Sequence, residues 1–120
     1  MVNMRQNFAI RPPKNKYGAK KTVVGDIKFD SKREATRWME LQLLERAGEI
    51  SGLDRQVRID LMGQYRPLYT RTGRKMKMTV DFSYVENGVV IFEDAKGMPT
   101  RDYEVRKAVV EAMGISIREV

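Results

Sequence analysis

Neither cysteine nor histidine occurs among the 120 residues. The first absence excludes disulfides, zinc ribbons, iron–sulfur centres and thiol nucleophiles. The second excludes imidazole general bases, Ser–His–Asp triads and most transition-metal sites. Chemistry here must come from carboxylates, Lys, Arg, Tyr or hydroxyls, a set that suits hard cations bound through oxygen. Long apolar runs are missing as well. No segment approaches the ~20 residues of a membrane span, and Met1 to Ile10 lacks a signal-peptide core, so a cytoplasmic location is expected. With 42% hydrophobic and 32% charged residues, the composition is that of one soluble globular domain.

Acid is absent from two stretches. Residues 1–25 carry Arg5, Arg11, Lys14, Lys16, Lys20 and Lys21, and residues 61–80 carry Arg66, Arg71, Arg74, Lys75 and Lys77, with no Asp or Glu in either. The rest of the chain holds 12 bases against 16 acids, so the net charge of +7 describes an acidic body with two basic appendages. Tyr17, Tyr65 and Tyr69 are interleaved with these bases. Cations that displace counterions, beside rings that stack or donate, suit a phosphate-backbone partner; the alternative is a charged tail that keeps a small protein in solution.

Pro12-Pro13 and the absence of periodicity make residues 1–19 an extended basic arm, leaving 20–120 as the domain. Thr22, Val23 and Val24, a Gly25-Asp26 turn, then Ile27 and Phe29 predict a short hairpin. Ser31 followed by Glu34 has capping-box spacing, and Ala35, Trp38, Met39, Gln42, Leu43 and Ala47 form one face of a helix that Gly48 stops. Gln56 to Met62 alternates as a half-buried strand, with a basic loop after it. Met76, Met78, Val80, Phe82 and Tyr84 alternate with polar residues in a second strand. Asn87-Gly88 turns the chain, and Val89 to Ala95 returns as a third. Thr100 caps a helix to Met113, Gly114 ends it, and Ile115, Ile117 and Val120 make a last strand. The expected fold is an α+β domain whose core runs α-β-β-β-α-β, after a hairpin and an arm.

A two-residue Asn87-Gly88 loop makes Glu86 face Val89, and the same register sets Asp81 opposite Asp94. Like charges directly opposed across a hairpin are destabilising. Lys96 falls on the same face as the pair by pleat alternation, whereas Glu93 points to the other face. Two opposed carboxylates with a main-chain carbonyl at Ala95 can anchor Mg²⁺ or Mn²⁺, with an ammonium group beside them to orient a water: the equipment of phosphodiester hydrolysis.

Asp81, then Asp94-Ala95-Lys96, with an acid on a preceding helix, resembles the PD-(D/E)XK nuclease superfamily, whose core has the same element order. More closely, Asn15-Lys16-Tyr17-Gly18-Ala19-Lys20, Phe29-Asp30-Ser31-Lys32-Arg33-Glu34-Ala35, Leu44-Glu45-Arg46-Ala47-Gly48-Glu49-Ile50 and Asp94-Ala95-Lys96-Gly97 resemble a small phage-encoded family of that superfamily, over residues 14–120. The resemblance implies a restriction-endonuclease-like fold and a metal-dependent endonuclease. Glu34, Asp81 and Asp94 match the metal-binding acids and Lys96 the catalytic lysine; branched DNA such as a Holliday junction is the implied substrate and a homodimer the implied assembly. Val80 stands where the superfamily pattern has Pro, and Gly25-Asp26 reverses the expected Asp-Gly, which favours a type II′ turn.

Phosphate contacts are expected from Lys14, Lys16, Lys20 and Lys21 of the arm, from Arg71, Arg74, Lys75 and Lys77 of the loop, and from Arg106 and Lys107 on the last helix. Each has a plainer reading. Glu34 could serve only as a helix cap, Arg106 and Lys107 could line a solvated face, and the whole could be a non-catalytic nucleic-acid-binding protein. A ribonuclease-H-like core starts with a meander of strands, which this order does not. HNH and phospholipase-D-like nucleases need histidine.

Overall fold

The computed structural model describes residues 21–95 and 99–120. Strands β1 (Thr22–Val24) and β2 (Ile27–Phe29) form the expected hairpin, paired Thr22 to Phe29 and Val24 to Ile27. Gly25 alone of the two loop residues has positive φ, as a II′ turn requires. Helix α1 (Lys32–Arg46) leads into β3 (Ser51–Asp60), β4 (Lys77–Glu86) and β5 (Val89–Asp94). Helix α2 (Arg101–Ala112) then leads to β6 (Ile117–Glu119). The sheet order is β3-β4-β5-β6, with the first two pairings antiparallel and β5–β6 parallel. This is an α+β chain with a four-stranded mixed sheet and two helices.

Both helices begin on a hydroxyl and end on a glycine. Ser31 Oγ accepts from Glu34 N–H at 3.1 Å and Thr100 Oγ1 from Tyr103 N–H at 3.1 Å. At the C-termini Gly48 and Gly114 take positive φ, and Glu49 N–H reaches Leu44 O as Ile115 N–H reaches Val110 O. That is the Schellman pattern, which satisfies carbonyls that the helix leaves unpaired.

The alternation read in β4 is realised, since Met78, Val80, Phe82 and Tyr84 are all buried. Met78 and Val80 join Ile59, Leu61, Tyr103, Val110 and Ile117 in one cluster; Phe82 and Tyr84 join Leu41 and Ile50 in the other. Helix α1 does not present the expected face. Ala35, Leu41 and Trp38 pack inward, whereas Met39 (43% exposed) and Leu43 (60%) face solvent. Trp38 stacks on Phe82, 6.0 Å between ring centroids, on the side of the helix that Leu41 also buries.

Two further expectations are corrected. Strand β3 begins at Ser51 rather than Gln56, because a register shift between Ser51 and Asp54, with Gly52 at positive φ, accommodates residues with little strand propensity. The basic stretch is no plain loop either. Leu61 N–H bonds Met76 O, Leu68 N–H bonds Leu61 O and Met76 N–H bonds Leu68 O, so Leu68 is sewn between the ends of β3 and β4. Two tight turns project from that foot, closed by bridges Met62–Pro67 and Tyr69–Lys75. Gly63 is needed in the first, where a Cβ would lie 3.1 Å from Leu68 Cδ2 and 3.2 Å from Arg66 O.

Candidate metal centre

The Asn87-Gly88 loop takes positive φ at both residues, and the β4–β5 pairing runs from Glu86–Val89 to Phe82–Glu93. One step further are Asp81 and Asp94, opposed as the turn requires. They hold each other through side-chain to backbone bonds: Asp81 N–H donates to Asp94 Oδ1 at 3.1 Å, and Ala95 N–H donates to Asp81 Oδ2 at 2.8 Å. Asp94 is buried at the end of β5, and Asp81 is half-buried. Burial first, then the neighbouring charges of Asp94 and Glu34, push the Asp81 carboxyl up to about 8.

Glu34 reaches this region from α1. Its backbone completes the cap, but its carboxylate turns to β3, where Oε2 accepts from Gln56 Nε2 at 3.2 Å and lies 3.9 Å from Arg55 Nη2. The helix thus uses the main chain of Glu34 and leaves the side chain for another task. Burial, then Asp30 and Asp94, raise its carboxyl above the ordinary range, and Arg55 and Gln56 act against them. Arg55 lies over the rings of Phe29 (4.7 Å) and Trp38 (5.8 Å), and its Nε is buried with no hydrogen-bond partner among the described residues.

Sequence reasoning did not find Gln56, Tyr103 or Glu119. The strand pairings place Gln56, Asp81, Asp94 and Glu119 in one row across β3, β4, β5 and β6. Gln56 has φ of 53°, uncommon for a residue that is not glycine, and it makes the contact to Glu34. Tyr103 donates from its hydroxyl to Glu119 at 2.8 Å; burial, that bond and the charge of Asp94 raise its pKa. Nothing in the sequence sets β6 beside β5, since a helix separates them. Glu93 lies on the opposite face, as its pleat position requires, but it is no surface acid. It is fully buried, receives Arg37 Nε at 2.7 Å and Nη2 at 2.9 Å, and accepts from the Tyr84 hydroxyl.

Residues 14–119 match the model of a family described as a protein of unknown function, DUF1064. The chain belongs to that family. No curated protein and no solved structure matches it. That family description carries no activity.

Lys96 lies outside the described residues, as do Lys14, Lys16 and Lys20. Lys21 is exposed and 3.3 Å from Asp30. Arg71, Arg74, Lys75 and Lys77 are exposed on or beside the arm at 61–76, Lys75 lying 3.9 Å from Asp60. Arg106 and Lys107 are engaged within the chain. Arg106 bonds Asp102 and the Lys77 carbonyl, and Lys107 lies 3.2 Å from Glu119. No helix among the described residues is long and apolar enough to cross a membrane.

As a donor set the site is all oxygen, and burial beside Asp94 and Glu34 raises the Asp81 carboxyl, a penalty that positive charge would offset; both properties fit a hard divalent cation. Among the described residues, however, no three acidic side chains are already arranged around one point that could hold an ion.

Proposed function

We propose that this protein is a metal-dependent endonuclease that hydrolyses phosphodiester bonds in DNA on a PD-(D/E)XK-like core, with branched DNA such as a Holliday junction as its substrate and a homodimer as its working form. The observation that carries the reading is the apposition of Asp81 and Asp94 at the open end of the β4–β5 hairpin, each carboxylate fixed by a backbone N–H of the other strand's segment. Asp81, Asp94 and the Ala95 carbonyl would hold Mg²⁺ or Mn²⁺, with Glu34 closing the site by leaving Gln56. When bound, the ion supplies charge neutralisation and polarises a phosphate oxygen. Asp81 and Asp94, fixed by their backbone bonds, would set the position of that ion and so of the phosphate it would receive. Lys96, two residues from Asp94, orients the attacking water and balances charge developing on the phosphate. Lys21, Arg71, Arg74, Lys75 and Lys77, with the arm lysines Lys14, Lys16 and Lys20, grip the backbone.

Cleavage of labelled linear, nicked and four-way DNA in Mg²⁺ or Mn²⁺ tests the proposal. Nicking by wild type, lost in Asp94→Asn while DNA binding persists, is the expected result. One observation favours a second reading, a non-catalytic DNA-binding protein: the engagement of Glu34 by Arg55 and Gln56 leaves the acids unassembled. Binding without cutting on every substrate in the panel would select it.

A further inference from the structure

We infer that the projecting arm at residues 61–76 is a stacking platform that takes an unpaired base of a DNA strand between Tyr65 and Tyr69. The inference rests on the reading of the chain as a DNA-processing protein and deepens it. Three observations converge. The arm is built to keep its shape: its foot is closed by the Leu61, Leu68 and Met76 backbone bonds, and Leu61, Leu68 and Met76 are part of the core cluster or packed against it. Its first turn is closed by Gly63 N–H to Arg66 O at 2.8 Å. The second is closed by Thr70 N–H to Arg74 O at 2.7 Å and by Arg74 N–H to Thr70 Oγ1 at 3.1 Å.

The shape so held carries rings that the fold does not use. Tyr65 is 89% exposed and Tyr69 49%. Both line a concavity of about 400 Å³ together with Gly63, Arg66 and Leu68. That volume lies in the range of small-ligand clefts, ~300–1,000 Å³. Residues 61–80 hold five bases and no acid, and Asp60 at the foot lies 3.9 Å from Lys75, which leaves the segment itself positively charged. Cations take a phosphate backbone of any form, but tyrosine rings beside them gain only from a base that has left its stack, because a paired base offers no free face. Duplex DNA would engage the arginines and leave both rings idle. A strand with unpaired nucleotides, as at a branch point, engages both.

The test uses the full chain in chelator, where no cutting occurs, and follows fluorescence anisotropy of a labelled single strand and of the matching duplex. Tyr65→Ala should weaken single-strand binding roughly 5- to 150-fold, the ~1–3 kcal/mol of one stacked base, and leave duplex affinity within about 2-fold. Tyr65→Phe, which keeps the ring, should bind as wild type. Wild-type single-strand affinity in the Tyr65→Ala/Tyr69→Ala double variant overturns the inference, as does equal weakening on single strand and duplex. A chain that stacks in chelator but never cuts in Mg²⁺ would sink the nuclease reading and leave this one standing.

Discussion

Asp81 illustrates how one residue stores the tension of the site. Burial first, then the charges of Asp94 and Glu34, push its carboxyl from the ordinary 3.8 up to about 8 in the folded chain. Between those values the folded chain binds more protons than the unfolded chain. Stability therefore falls as pH rises from about 4 to about 8, and the penalty is complete above that. Asp81→Asn removes the titrating group at constant shape. Thermal melts in chelator should show wild type losing Tm with rising pH more steeply than Asp81→Asn, and parallel slopes would contradict the account. Glu34 separates two roles that its position in the sequence confounds. Because the cap uses its N–H and not its carboxylate, Ser31→Ala should cost ~1 kcal/mol in denaturant unfolding, while Glu34→Gln should change stability far less and abolish cutting. A loss in Glu34→Gln as large as that in Ser31→Ala would return the carboxylate to the cap.

At the scale of elements, helix α1 and strand β5 are joined by an ion pair whose Glu93 end is buried and whose Arg37 end is partly exposed. Arg37 makes two bonds to Glu93, which also receives Tyr84, and Arg118 bonds Tyr84 in turn. Removing one member of such a pair leaves a buried charge without its compensation. Arg37→Ala should therefore cost ~3–5 kcal/mol, measured as a lowered denaturant midpoint at unchanged m-value. A cost near zero would contradict the role of the Arg37–Glu93 pair in joining the two elements. These elements were unevenly legible. Asn87-Gly88 carried its turn type and hence the Asp81–Asp94 register, because a two-residue loop admits one alignment. Ser31, Gly48, Thr100 and Gly114 marked the helix ends through local hydrogen bonding alone. The inward face of α1 was not legible, since Met39 and Leu43 are as apolar as Leu41 and the rotation goes with long-range contacts, the Trp38–Phe82 stack and the Arg37–Glu93 pair. Nor was the row of Gln56, Asp81, Asp94 and Glu119, which depends on the β3–β4 register set across the long connection at 61–76 and on a parallel crossover that places distant residues side by side.

For the molecule as a whole, the charge distribution matters more than its sum. On the proposed reading, each backbone phosphate neutralised by the basic segments releases condensed counterions, and affinity for DNA should fall steeply with salt. A chain lacking residues 1–19 loses Arg5, Arg11, Lys14 and Lys16. Its slope of log affinity against log salt should be shallower by up to ~3–4, whereas an unchanged slope would assign those bases to solubility. Arg106→Ala should scarcely alter that slope, because its guanidinium already serves Asp102 and Lys77.

Direct measurement of Mn²⁺ binding by titration calorimetry, on wild type beside Asp81→Asn and Asp94→Asn, tests the central claim most closely. The account predicts a saturable Mn²⁺ site in wild type, weakened at least ~10-fold in both variants, with protons released on binding as Asp81 ionises. Equal Mn²⁺ affinity in all three proteins, or no binding to wild type, would contradict it.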